Sequence, residues 1–270
     1  MVTRMSGYPD DDTLAAAGLR LGLADEVVTI TLNRPESRNA QTPVTWRALA
    51  AIGASLTADV RVVVLRAEGA SFSAGLDRDM FTPEGLPGEE SVFGMGALGE
   101  REINDQLAEH QAAFSWWRRP EIVSIAAVQG HAVGAGFQLA LACDLRVMAD
   151  DARFAMRETS LGLVPDLGGT KPLVDQVGYA RALEICATGR WLEAREAREL
   201  GLATAVVPRQ RLDDSVADLV AALVEPLHGA VAGLKQLLLG AADRSHDEQL
   251  RAERLVQSER LRDLARALRL

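Results

Sequence analysis

IVSIAAVQGHAVGAGFQLALACDLR, residues 122–146, is the stretch on which the fold turns. An apolar, β-favouring run, IVSIAAV, enters a glycine-rich turn that opens directly into the apolar segment FQLALA. A continuous apolar run of that kind suits a strand buried on both faces of a parallel sheet. Gly134, Ala135 and Gly136 stand where the turn becomes a helix. Residues this small leave backbone N–H groups uncovered at the helix's positive end. Such a corner can hold negative charge developing on an oxygen atom. The one polar side chain just inside the helix is Gln138.

Outward from this stretch, the chain alternates strands with helices. VVTITL (27–32) reads as a strand, NRPESRN as a turn, and a helix runs from Thr42, with Pro43 at its first position, to about Thr57. RVVVLRA (61–67) is a second buried strand, followed by the loop EGASFSAGLD. A helix from about Glu100 to Trp117 precedes IVSIAAV. LRVMA and ARFAM are short strands, and LATAVVP (202–208) is the last. After Glu158 the pattern is mainly helical, and from Leu212 it is almost wholly so. This order predicts an α/β core at 19–208 with a C-terminal helical layer at 209–270, after a flexible lead at 1–18. Residues 82–99, rich in Gly, Pro and Glu, read as a mobile lid.

Composition bounds the function. The chain has 270 residues, 48% of them hydrophobic and 25% charged, enough to bury a large core without disulfides. A formal charge of −9 argues against nonspecific nucleic-acid or anionic-membrane binding. Cys143 and Cys186 lie in apolar helical contexts and read as buried free thiols of a reducing compartment. MVTRMSGYPDDDTLAAAG has no apolar signal region, and no uninterrupted apolar run reaches about 18 residues. The expectation is a cytoplasmic protein with no membrane span.

Several chemistry-bearing motifs fail. The dinucleotide fingerprint would need glycine at 139, where Leu139 stands. GLVPDLGGTK departs from the phosphate-loop pattern, since Pro172 follows Lys171. No G-x-S-x-G surrounds Ser71 or Ser73. The histidines are scattered, His131 reads as a hydrogen-bonded turn residue, and no metal-type cluster occurs.

What holds is a pair of loops. SFSAGLD (71–77) and QGHAVGAGFQ (129–138) each follow a buried strand, so parallel neighbours would bring both to one crevice. A third segment, RETSLGLVPDLGGT (157–170), contributes Glu158 and Asp166. Glu158 reads either as a catalytic acid or as a salt-bridged surface group. Asp166, before the helix LGGTKPLV, reads either as an N-cap or as a proton carrier.

The order and spacing of LNRPESRNA, SFSAGLD, VQGHAVGAGFQLALACDLR, LGLVPDLGGT and ELGLATAVVP resemble the crotonase superfamily, the enoyl-CoA hydratase/isomerase family. The resemblance covers nearly the whole chain. It implies a spiral of ββα turns and C-terminal helices that build homotrimers or hexamers. It implies an acyl-CoA substrate, with coenzyme A arriving as part of the thioester and no permanent cofactor or metal. The N–H groups of Leu76 and Ala135 would form the oxyanion hole for a thioester enolate. Ala74, Gly75, Asp77, Gly134 and Gly136 would bind the CoA thioester; Arg38 reads either as a phosphate partner or as an exposed surface arginine, with Lys235 and the last helix's arginines weaker candidates. Read from the residues alone, Phe81, Phe93, Met95, Phe114, Trp116 and Trp117 either line the acyl end or belong to the core, the commoner place for such side chains.

One position departs from the family's hydratases, which resemble one another in carrying two glutamates. The first is Gln138 here and the second is Glu158. An amide can orient a water or a carbonyl but cannot carry a proton at neutral pH. Gln138, Glu158 and Asp166 as the catalytic set therefore suit double-bond isomerisation better than hydration. The alternatives are a 2-enoyl-CoA hydratase with an altered acid–base set, a non-catalytic acyl-CoA carrier, and a thioester hydrolase or decarboxylase.

Overall fold

A computed structural model describes residues 7–268. The elements in chain order are α1 (Asp11–Ala16), β1 (Leu19–Ala24), β2 (Val27–Leu32), α2 (Pro43–Ser55), β3 (Val62–Ala67), α3 (Val92–Met95) and α4 (Glu100–Ser115). Next come β4 (Val123–Val128), β5 (His131–Val133), α5 (Ala135–Ala142), β6 (Leu145–Ala149), β7 (Arg153–Ala155), α6 (Thr170–Val177) and α7 (Tyr179–Thr188). The chain closes with β8 (Leu192–Glu193), α8 (Ala194–Glu199), β9 (Ala205–Val207), α9 (Leu212–Val224), α10 (His228–Leu239) and α11 (His246–Ala267).

A large sheet in the order β1-β2-β3-β4-β6-β9 forms the core, parallel except for the β1–β2 hairpin at its edge. The valine-rich β3 and the fully buried β4 sit at its centre, in register Val62↔Val123. A small sheet, β5-β7-β8, lies beside it. β4 and β6 neighbour each other in the large sheet, while the strands that follow them, β5 and β7, pair in the small one. The chain thus advances as a spiral, and the β4–β5 and β6–β7 turns each give one strand to each sheet.

α9 packs on β3, β4 and β6, and α10 pairs with α11. The Lys235 ammonium on α10 donates to the Ile122 carbonyl and the Asp144 carboxylate, each at 2.6 Å, tying this layer to the core. Among the described residues no single helix is long and apolar enough to cross a membrane.

Three differences from the sequence expectations have physical causes. Residues 11–16 of the expected flexible lead form a helix, which Asp10 caps through the Thr13 N–H and which buries Leu14; residues 1–6 lie outside the described range. β1, hidden in sequence because Gly22 breaks its apolar pattern, is an edge strand paired with β2. β5 falls inside the expected turn. Three residues carry no periodicity, and only the distant partner β7 makes them a strand.

Candidate active site

The loops after β3 and β4 meet at the C-terminal edge of the parallel sheet, as ligand crevices in open α/β sheets do. Residues 73–77 run between two single-residue pairings, Gln41↔Leu76 on one side and Ser73↔Ala132 on the other. The Gln41 N–H donates to the Gly75 carbonyl at 2.7 Å and the Asp77 N–H donates to the Gln41 carbonyl at 2.8 Å. In a parallel pairing of this register the bracketed residue turns its own N–H the other way, so the Leu76 amide faces away from Gln41. Ala135 opens α5, and a first-turn N–H has no partner within its helix.

The two turns are pressed together. A Cβ added to Gly75 (φ 89°) would lie 2.6 Å from the Val133 carbonyl oxygen and 3.6 Å from the Ala135 nitrogen. Leu76 and Ala135 both line one cavity of about 360 Å³, with Ala74, Gly75, Gly134, Gln138, Glu158 and Asp166. This brings together the two expected oxyanion amides and all three expected catalytic side chains.

Gln138 is 1% exposed and committed to structure at both ends of its amide. Its Nε2 donates to Glu158 Oε1 at 2.7 Å, and its Oε1 accepts from the N–H groups of Leu167 at 3.0 Å and Gly169 at 3.2 Å. It is therefore a strut between Glu158 and the residue after Asp166, a different role from orienting a free water or carbonyl.

Glu158 follows β7 in a short 3-10 turn and lies against Gly134, where a Cβ would stand 3.4 Å from Oε1. Its Oε2 is buried with no hydrogen-bond partner among the described residues. Burial pushes its carboxyl above the usual glutamate range, the Gln138 hydrogen bond pulls it down, and the neighbouring Asp166 charge raises it. Asp166 is also raised by burial. The N-cap reading of Asp166 fails: α6 begins at Thr170 with Gly169 as its N-cap. The salt-bridge reading of Glu158 fails likewise, since its carboxylate engages an amide.

The apolar wall comes from α2, α4, the short 3-10 turn Arg78–Phe81 and the 82–99 segment. Trp46, Met80, Phe81, Val92, Met95 and Leu107 are among its residues. Of the side chains expected there, Phe81 and Met95 line it. Phe93 is 61% exposed. Phe114, Trp116 and Trp117 are buried in the core, the last two stacked with ring centroids 4.0 Å apart. The 82–99 segment is held down by an ion pair between Arg47 and Glu89. Trp46 and His110 line the cavity and pack ring to ring at 4.8 Å, and burial pushes the His110 imidazole toward its neutral form. Sequence reasoning did not single out either residue. The one signal for His110 is its helical spacing from Ala113 and Phe114, the other buried side chains of α4.

Of the expected CoA-binding residues, Ala74, Gly75 and Gly134 line the cavity. Arg38 is exposed beside Ala74, its carbonyl accepting the Ala74 N–H at 2.9 Å. Gly136 stands behind the turn, where a Cβ would meet the Ser73 carbonyl oxygen at 2.6 Å. Asp77 corrects its expectation: its carboxylate accepts from Arg34 at 3.0 Å and from the Asp79 N–H at 3.2 Å, so it is a turn cap. Lys235 is corrected too, since its ammonium is buried on Asp144. Cys143 is fully buried, which pushes its thiol up to about 12, and Cys186 is half-buried.

The sequence profile of the enoyl-CoA hydratase/isomerase family matches residues 23–264. The chain belongs to that family. It is 33% identical over 236 residues to a Rhizobium meliloti protein assigned as an enoyl-CoA hydratase, covering 86% of this chain and 81% of the relative. It is 32% identical over 229 residues to the human mitochondrial Delta(3,5)-Delta(2,4)-dienoyl-CoA isomerase, covering 83% and 69%. A Thermobifida fusca protein assigned as an enoyl-CoA hydratase and solved with CoA is 47% identical, with a TM-score of 0.91 over 96% of this chain and 98% of that one. The same Thermobifida fusca protein has been solved with acetoacetyl-CoA. This enoyl-CoA hydratase/isomerase family member shares its spiral fold with those structures.

Proposed function

We propose that this chain is an enoyl-CoA isomerase that moves a carbon–carbon double bond along an acyl-CoA thioester. The thioester carbonyl sits between the N–H groups of Leu76 and Ala135. Glu158 takes the proton from the carbon next to that carbonyl, and the electron pair moves onto the carbonyl oxygen as an enolate. The enolate is held by the two amides, a type of interaction that commonly contributes about 100- to 1000-fold per donor. The enolate then collapses, the carbonyl re-forms, and the far end of the allylic system accepts a proton from Asp166. The proton left on Glu158 exchanges through solvent and Asp166 is recharged, so nothing is consumed.

The observation that carries this reading is the Gln138 strut. Where a second acid would flank a hydrating water, the amide oxygen already accepts two backbone N–H groups. Burial raises both remaining carboxyls, which suits proton carriers working near neutral pH. The CoA and acetoacetyl-CoA complexes of the Thermobifida fusca relative support a CoA thioester as substrate. The dienoyl-CoA isomerase among the relatives supports double-bond movement.

The test is to incubate the protein separately with 3-enoyl- and 2-enoyl-CoA and follow the conjugated-thioester absorbance. A rise with the 3-enoyl compound, without an equally fast loss of the 2-enoyl signal, is expected. Faster hydration of the 2-enoyl compound overturns the isomerase reading, and binding without conversion of either overturns the enzyme reading. The same proposal includes a homotrimer or hexamer built on the C-terminal helices, where Leu234, Leu238, Leu255 and Leu261 are exposed. Sedimentation equilibrium at micromolar concentration tests it, and a monomer would refute it.

A further inference from the structure

Both oxyanion turns rest on one side chain. Ser73 is 0% exposed. Its hydroxyl accepts from the Gly75 N–H at 3.2 Å, one residue before Leu76. The Gly136 Cα, one residue after Ala135, lies so close to Ser73 that a Cβ there would meet the serine's carbonyl oxygen at 2.6 Å, its Cβ at 2.8 Å and its Oγ at 3.0 Å. Ser73 thus touches the residues adjacent to both amides.

The hydroxyl is itself fixed from behind. It donates to the Asn39 carbonyl at 2.8 Å and accepts from Gln41 Nε2 at 3.0 Å. Gln41 is 0% exposed, and its Oε1 accepts from Trp46 Nε1 at 2.8 Å. Gln41 also brackets Leu76 through its backbone, as described above. Trp46 is the far end of the chain and forms part of the apolar cavity wall. A hydroxyl with both acceptor sites and its one proton committed has a single orientation.

We propose that Ser73, oriented by the Gln41–Trp46 relay, is the positioning residue that sets the separation of the Leu76 and Ala135 amides. It touches no reacting atom and acts through the two backbones. The inference rests on the oxyanion role given to those amides under the proposed function. A hole whose donors are displaced by a fraction of an ångström still admits the carbonyl but polarises it less. The cost then falls on the chemical step rather than on binding.

The test uses 2,4-hexadienoyl-CoA, whose long-wavelength absorption moves to the red when its carbonyl is polarised. Full-length wild type, Ser73→Ala, Trp46→Phe and the double variant are compared for that shift, and for kcat and KM with a 3-enoyl-CoA. Trp46→Phe keeps an aromatic ring in the cavity wall but removes the indole N–H, so it serves if Ser73→Ala fails to fold. The expected result is a smaller red shift and a kcat lower by about 10- to 100-fold in each single variant, with KM within about twofold. The double variant should lose little beyond Ser73→Ala, because the two act in one chain. A full red shift in the folded variants, or losses confined to KM, overturns the positioning role alone. No red shift and no turnover in the wild type overturns the proposed function, and the positioning role with it.

Discussion

Gln138 Nε2 donates to Glu158 Oε1 at 2.7 Å, while its Oε1 holds the N–H of Leu167, the residue after Asp166, at 3.0 Å. One neutral side chain thus spans the distance between two acids. It leaves Glu158 with one buried oxygen, Oε2, that has no hydrogen-bond partner among the described residues.

Glu158→Gln removes the proposed base and keeps the volume. Turnover of a 3-enoyl-CoA is expected to fall by about 100- to 10,000-fold. Affinity for CoA, measured by calorimetry, is expected to stay within a few-fold, and an unchanged turnover rate would refute the role.

The burial that raises Glu158 sets the pH dependence. A base must be ionised, so kcat/KM should rise with pH through a pKa above the ordinary glutamate value of about 4.3. Gln138→Glu replaces the hydrogen-bond donor with a like charge, so the acid limb of the profile should move further up in pH. A limb that stays in place or moves down would show that Glu158 is not the group being read.

Asp166 makes a stability prediction with a definite sign. Burial raises its folded pKa above the unfolded value of about 3.9. Its favourable contribution is present below the unfolded pKa and lost as pH rises through the folded one, after which the ionised carboxylate costs stability. Asp166→Asn should therefore raise Tm at pH 8, with the gain shrinking toward pH 4. Scanning calorimetry across that range checks it, and a lower Tm at pH 8 would contradict it.

Lys235 separates a structural cation from a ligand-binding one. Its ammonium is buried on Asp144, and removing one partner of such a pair typically costs about 3–5 kcal/mol. Lys235→Ala should lower the urea midpoint strongly while folded protein binds CoA with unchanged affinity. Weakened CoA binding without loss of stability would reinstate it as a phosphate partner.

The central strands, the two glycine turns and the α/β order were legible because continuous valine and alanine runs and glycine corners are local signals. β1 and β5 were not, since each owes its existence to a partner strand elsewhere in the chain. At the site, residue types could be read but not their commitments. Asp77 and Asp166 are both acids beside short helical turns. Only the fold separates them: Asp77 is a cap bound to Arg34, whereas Asp166 lines the cavity and caps no helix among the described residues. The aromatic pair Trp116–Trp117, open in sequence to either a pocket or a core reading, belongs to the core, where Gly53 on α2 leaves room for Trp116.

An amide does not titrate, so the brace between the two acids carries no charge of its own at any pH where the protein is folded. In a member with glutamate at 138, that brace would gain and lose charge alongside the groups it supports. Geometry and protonation would then change together. Here the brace stays neutral: on the proposed mechanism, a pH–rate profile would read the protonation of Glu158 and Asp166 without a third titrating group between them.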